Sequence, residues 1–290
     1  MTTAIRAPYR AREATDYSQP LLWAGCPWDD IGMPGGVKGV KFEERFTNFP
    51  DLTGYGSAGT AETELKYAYY FDTGCTIKQA NASFGGLAMV QDGTDNDEMW
   101  VQAGGNAGGA FVFNDPINGA AGYTDPFDVW FDCRFKISTV AANVVALFMG
   151  LGEAGLAVAN TKVDDTGVMV DKDWIGFQTV HGAAAENATL MFSYKEEGST
   201  VQHKIASLAT LVADTEIAVG FRHFRGQSTS KRITVFKNNV EQATGIADSD
   251  IQASTFPDGV PMLPLWGDKA GAATASTFTP IYIKAAMVKW

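Results

Sequence analysis

The sequence predicts an all-β protein, and three observations carry that reading. Apolar and polar residues alternate with period two in several runs, most clearly in DVWFDCRFKIS at 128–138, the pattern of a strand with one face in a core and the other toward water. Short runs of this kind follow one another from KFEERFTNF at 41–49 onward, divided by Gly, Asn and Asp, the residues that turns require. Helical spacing occurs in one segment, HKIASLATLVAD at 203–214, where Ile205, Leu208, Leu211 and Val212 predict a helical turn or two.

Taken in chain order, residues 1–40 read as an extended arm, because RAPYRAREATDYSQPLLWAGCPWDDIGMPGGVKG mixes Pro, Gly, charge and isolated aromatics without a period. A disordered arm should lack large apolar residues, yet Leu21, Leu22, Trp23 and Trp28 crowd into eight positions. They are candidate docking residues, for the arm's own domain or for a neighbouring subunit. Residues 41–290 form the body. Its eleven candidate strands are TIKQA, GLAMVQ, EMWVQA, AFVFN, DVWFDCRFKIS, NVVALFMGLGE, DWIGFQTVH, TLMFSYKE, IAVGFRHFR, RITVFKNN and IYIKAAMVKW.

Within the long strand, Val129, Phe131, Cys133, Phe135 and Ile137 form the predicted core face, and Cys133 is a small buried hydrophobe there. Asn238 and Asn239 stand between two apolar runs and predict a tight hairpin, since asparagine tolerates left-handed backbone. Gly220 inside its strand predicts a close approach or a bend. No repeat of twenty to fifty residues recurs, against a propeller or solenoid.

The totals exclude whole classes. With 22 basic and 33 acidic residues the net charge is -11, which repels nucleic acid and an anionic bilayer. The first residues lack a signal-peptide core and no run of eighteen apolar residues occurs, so a cytoplasmic, soluble protein is expected. Cys26, Cys75 and Cys133 are odd in number and lack C-x-x-C spacing, suggesting neither a disulfide framework nor a zinc knuckle.

The order of signals from Trp130-Phe131-x-Cys133-Arg134-Phe135 through LFMGLGE, DWIGFQ, LMFSYKE, AVGFR and ITVFKNN to a closing strand resembles the concanavalin A-like lectin and glucanase superfamily. The resemblance covers roughly 42–290 and implies a two-sheet antiparallel jelly-roll sandwich. GGLAMVQDGTDNDEMWVQAGG at 85–105 resembles a stretch in structural proteins of tailed bacteriophages with this fold. It implies a virion component made in a host cytoplasm, a capsid decoration protein docked on the major capsid protein or on copies of itself.

Glucanases of the superfamily carry Glu-x-Asp-x-Glu or Glu-x-Asp-x-x-Glu, which aims two carboxylates at one glycosidic bond. No such run exists here. Glu43 and Glu44 are adjacent, Glu62 and Glu64 lack a third partner, and Glu196 and Glu197 precede a turn, so a protein that is not an enzyme is expected. The alternatives to the virion reading are a carbohydrate-binding, host-adhesion module, with Trp130 and Trp266 as candidate glycan or partner contacts, and, behind it, a glycoside hydrolase. Asp92, Asp95, Asp97 and Glu98 in DGTDNDE offer oxygen ligands for calcium, against the plainer reading of an acidic turn. Asp164, Asp165, Asp171 and Asp173 make a second oxygen-rich stretch. His181, His203 and His223 show no metal spacing, and the glycines of 102–113 precede no helix that would cradle phosphate.

Overall fold

The computed structural model describes residues 21–290, except 34–35, 55, 65, 81–84, 105–109, 114–126, 225–226, 258 and 290. Two eight-stranded antiparallel sheets form a jelly-roll sandwich. The first contains β1 (Gly39–Glu44), β4 (Thr76–Gln79), β5 (Leu87–Gln91), β7 (Phe127–Ile137), β12 (Ile217–His223), β13 (Ile233–Lys237), β14 (Val240–Ile246) and β16 (Ser276–Lys289). Its order is β14-β13-β12-β7-β16-β5-β4, with β1 also on β16. The second contains β2 (Glu62–Glu64), β3 (Tyr67–Phe71), β6 (Glu98–Ala103), β8 (Ala146–Glu153), β9 (Trp174–Gln178), β10 (Thr189–Lys195), β11 (Gln202–Thr210) and β15 (Met262–Lys269), ordered β11-β10-β9-β8-β15-β6-β3-β2.

The core lies between the sheets. Phe131 on β7 stacks on Phe221 of β12 at 5.4 Å and meets Phe177 of β9 at 6.5 Å, so the alternation in 128–138 assigns the inner face as expected. Asn238 and Asn239, at φ 48° and 62°, turn β13 into β14. Gly220 provides a close approach: a Cβ there would lie 2.1 Å from Leu22 Cδ1 and 2.5 Å from the Phe131 carbonyl.

Three expectations are corrected. Of the segment predicted as helical, residues 203–210 lie in β11 and 211–214 in the turn that follows it. The register of β11 on β10 shifts between Leu190 and Phe192, where the β11 partners step from Ala209 to Ile205. That irregularity breaks period two and leaves apolar residues at helix-like spacing. Among its described residues, 110–113, AFVFN forms only a bridge between Phe111 and Met262. Tyr67–Phe71 and Met262–Lys269, not read as strands, are β3 and β15; every residue of both is buried, so no alternation marks them.

Each outer face is also covered. Residues 21–31 bury Leu22, Trp23, Cys26 and Ile31 against Trp130, Phe236, Ala286 and Val288 of the first sheet. The connection from β8 to β9 packs Leu156, Ala157 and Met169 on Trp100, Phe148, Trp174 and Leu265 of the second. Lys162 of that connection is fully buried and donates to the carbonyls of Gly167 (2.6 Å) and Thr179 (3.0 Å). Gln102 Oε1 accepts from Gly155 N at 2.9 Å.

Candidate functional site

The outward residues of the first sheet run in rows set by strand register. Glu43 of β1 opposes Lys284 of β16, and Lys284 opposes Asp132 of β7. One row therefore carries carboxylate, ammonium and carboxylate across three neighbouring strands. In the next row Tyr282 opposes Arg134. The segment from Trp23 to Asp29 rises beside these rows as a wall. Together they bound a cleft of about 610 Å³, within the size range of small-molecule sites.

Asp132 anchors the floor. Its Oδ2 accepts from Trp23 Nε1 at 2.9 Å and its Oδ1 from Tyr282 OH at 3.1 Å. Burial raises the pKa of its carboxyl, opposed by those two hydrogen bonds and by Lys284. Burial and the neighbouring Asp132 raise the Tyr282 phenol. Trp23 and Trp28 meet edge to face at 5.3 Å. Lys284 Nζ stands 4.4 Å from the Trp23 ring centre and 3.9 Å from that of Trp28, a cation–π arrangement that fixes the ammonium in the cleft. Cys26, also lining it, has its thiol pushed up to about 12 by burial, which keeps it unreactive. Arg45 pairs with Glu43 at 2.7 Å, and Arg134 pairs with Glu216.

A second polar cluster lies at a rim of the other sheet. Glu153 ends β8, Asp173 precedes β9 and Glu197 lies in the turn from β10 to β11. One ligand oxygen from each falls within 4.8 Å of the others.

The sequence-selected residues divide. Leu22 and Trp23 are buried on the protein's own sheet, whereas Leu21 is 50% exposed and Trp28 is half-buried at the cleft wall. Trp130 and Trp266 are corrected as surface contacts, because both are fully buried. Trp130 lies beneath the 21–31 segment. Trp266 faces the inter-sheet core against Phe46 at 5.7 Å and Tyr67 at 6.0 Å.

Of the calcium set Asp92, Asp95, Asp97 and Glu98, the side chains of Asp92 and Asp97 meet, but among the described residues no three of the four converge. Asp92 Oδ1 accepts from Thr94 N at 2.9 Å, the local turn bond. Asp95 is exposed, and Asp97 accepts from the Cys75 thiol at 3.7 Å. Glu98, one residue on, turns to the opposite face of the strand. There it accepts from Trp100 Nε1 at 2.7 Å and from Asn160 N. The residues missed were Asp132, Tyr282 and Lys284. The signal for Asp132 was the charged, outward half of the 128–138 alternation; Tyr282 and Lys284 alternate with Ile281, Ile283 and Ala285 in the closing strand IYIKAAMVKW.

No protein-family model and no curated protein matches the sequence. Solved structures match in fold. A protein of unknown function from Shewanella oneidensis MR-1 has TM-score 0.53 at 10% identity, over 90% of this chain and 92% of that one. A glycoside hydrolase family 16 endo-glucanase from Bacteroides ovatus has TM-score 0.51 at 10% identity, over 84% and 99%. An endo-1,3-beta-glucanase from Streptomyces sioyaensis has TM-score 0.50 at 11% identity, over 90% and 99%. The fold is thus the jelly roll of concanavalin A-like proteins. The expectation that the chain is not an enzyme is corrected by the same finding: endo-glucanases share its scaffold, and a missing strand motif does not separate it from them.

Proposed function

We propose that the protein recognises a glycan in the cleft between the 21–31 segment and the outer face of the first sheet. The observation that carries this is the grouping of Trp28, Tyr282, Asp132 and Lys284 in that one cavity. Aromatic rings supply apolar contact for sugar rings, and carboxylate and ammonium supply hydrogen bonds to hydroxyls. The endo-glucanases of the same fold make a β-linked glucan the first ligand class to test.

The same face carries Glu43 and Asp132 two strands apart, about 10 Å between backbones by sheet spacing. Carboxylates of inverting glycosidases stand roughly 6.5–9.5 Å apart, so the assay follows release of reducing ends as well as binding. The virion-decoration reading rests on the resemblance of residues 85–105 and on the leading arm as a docking element for a partner shell. The glycan reading is preferred because Leu22 and Trp23 are committed to the protein's own sheet.

The test is titration calorimetry with soluble β-1,3- and mixed-linkage glucans, using the wild type, Trp28→Ala and Tyr282→Ala. Each variant should weaken binding about tenfold, the equivalent of roughly 1.4 kcal/mol. No measurable binding by the wild type to either glucan, or variants that bind as well as the wild type, would reject the cleft as a glucan site.

A further inference from the structure

From the geometry of the second-sheet rim we infer a binding site for a divalent cation of the calcium type, formed by Glu153, Asp173 and Glu197. Three successive strands supply it. The ends of β8 and β9 are locked together by the bond from Glu153 N to the Asp173 carbonyl at 2.9 Å. β9 in turn pairs with β10, so that Lys195 opposes Trp174. Glu197 then follows in the turn, whose Gly198 at φ 79° donates to Asp171 Oδ1 at 2.8 Å. The three oxygens, within 4.8 Å of one another, thus rest on hydrogen-bonded backbone rather than on a free loop, as a cation site requires.

Asp173 supplies the independent evidence. It is 4% exposed, and its Oδ1 meets no donor. A buried carboxylate oxygen without a partner is costly. The cations nearby do not resolve it. Lys172 Nζ contacts Glu153 Oε1 at 3.0 Å and Glu197 Oε1 at 2.7 Å, and Lys195 is held by Asp171 at 2.9 Å. Three carboxylates therefore face one ammonium.

A hard divalent ion would satisfy the free oxygen and the excess charge together. Calcium suits the set because it accepts carboxylates in irregular geometry and completes its six to eight ligands with carbonyls and water. Asp173 belongs to the oxygen-rich stretch 164–173 noted in the sequence, but Glu153 and Glu197 come from outside it. The inference is independent of the glycan cleft, which lies on the other sheet.

The experiment uses the full chain, stripped with chelator and titrated with terbium. Emission is sensitised through tryptophan, since the buried Trp174 adjoins Asp173. The wild type should give saturable emission that calcium displaces, and calcium should raise its melting temperature. The variant E153Q/E197Q, altered only at partly exposed positions, should weaken terbium and calcium at least about 100-fold. D92N/D97N, in the other acidic loop, should leave both unchanged. Absence of saturable terbium binding by the wild type overturns the site. So does binding that survives E153Q/E197Q or is lost in D92N/D97N.

Discussion

Trp23 Nε1 donates to Asp132 Oδ2 across 2.9 Å, joining residues 109 positions apart in sequence. The bond ties the leading segment to the middle of β7 and aligns a wall of the cleft with its floor. Asp132→Ala would leave both the indole N–H and the Tyr282 hydroxyl without their acceptor. A loss of about 1–3 kcal/mol is expected, as for other part-buried polar groups left unpaired. Urea unfolding measures it, and a loss below that range would mean water replaces the carboxylate freely.

Arg222 holds the same segment from the other side. Its Nη1 donates to the carbonyls of Leu21 at 2.9 Å and Ala24 at 3.4 Å, and its guanidinium lies 5.7 Å from Phe224 and 5.6 Å from Phe236. Arg222→Ala should unseat residues 21–31, because the Leu21 and Ala24 carbonyls lose their donor. Limited proteolysis should cut that segment several-fold faster than in the wild type while the body stays folded. An unchanged rate would show that other contacts hold the segment.

Phe131→Ala removes a ring packed against Phe221 and Phe177 between the sheets. The expected loss is about 3–5 kcal/mol in calorimetric or denaturant unfolding, the range for truncating a buried aromatic.

Stability should also respond to mild acid. Burial and the adjacent Glu153 raise the Asp173 carboxyl to about 6, and burial with Asp72 and Asp92 raises Asp97 to about 6, both from an ordinary 3.8. Between roughly pH 4 and 6 the folded protein then holds protons that the unfolded chain has released, so stability falls as pH rises through that window. Chelator-treated protein should melt lower at pH 7 than at pH 5 on account of these groups. Asp173→Asn and Asp97→Asn should each flatten the dependence, and an unaltered slope in both would assign it elsewhere.

Sequence legibility differed sharply between elements. In β7 the alternation is legible because its outward residues Asp132, Arg134 and Lys136 are polar and partly exposed while the inward ones are buried, so the pattern records two environments. Strands buried on both faces, such as β3 and β15, carry no alternation, so nothing local marks Trp266 as a core residue. The 203–214 segment misled because a register irregularity in β11 imitates helical spacing. At the cleft, Trp28 stands out in the sequence as a large aromatic in an aperiodic segment. Asp132 and Lys284, each unremarkable in its own strand, become a site only when β7 and β16 pair.

By itself the sequence determined the all-β class, the inward face of β7 and the hairpin at Asn238–Asn239, because period two and turn chemistry are local properties of the chain. Only the tertiary structure decided that the arm's tryptophans lie on the protein's own sheet, that Trp130 is buried beneath them, and that Glu153, Asp173 and Glu197 meet. Those outcomes depend on which strands become neighbours and in what register. Pairing of that kind is set by contacts between distant parts of the chain, which no local pattern records.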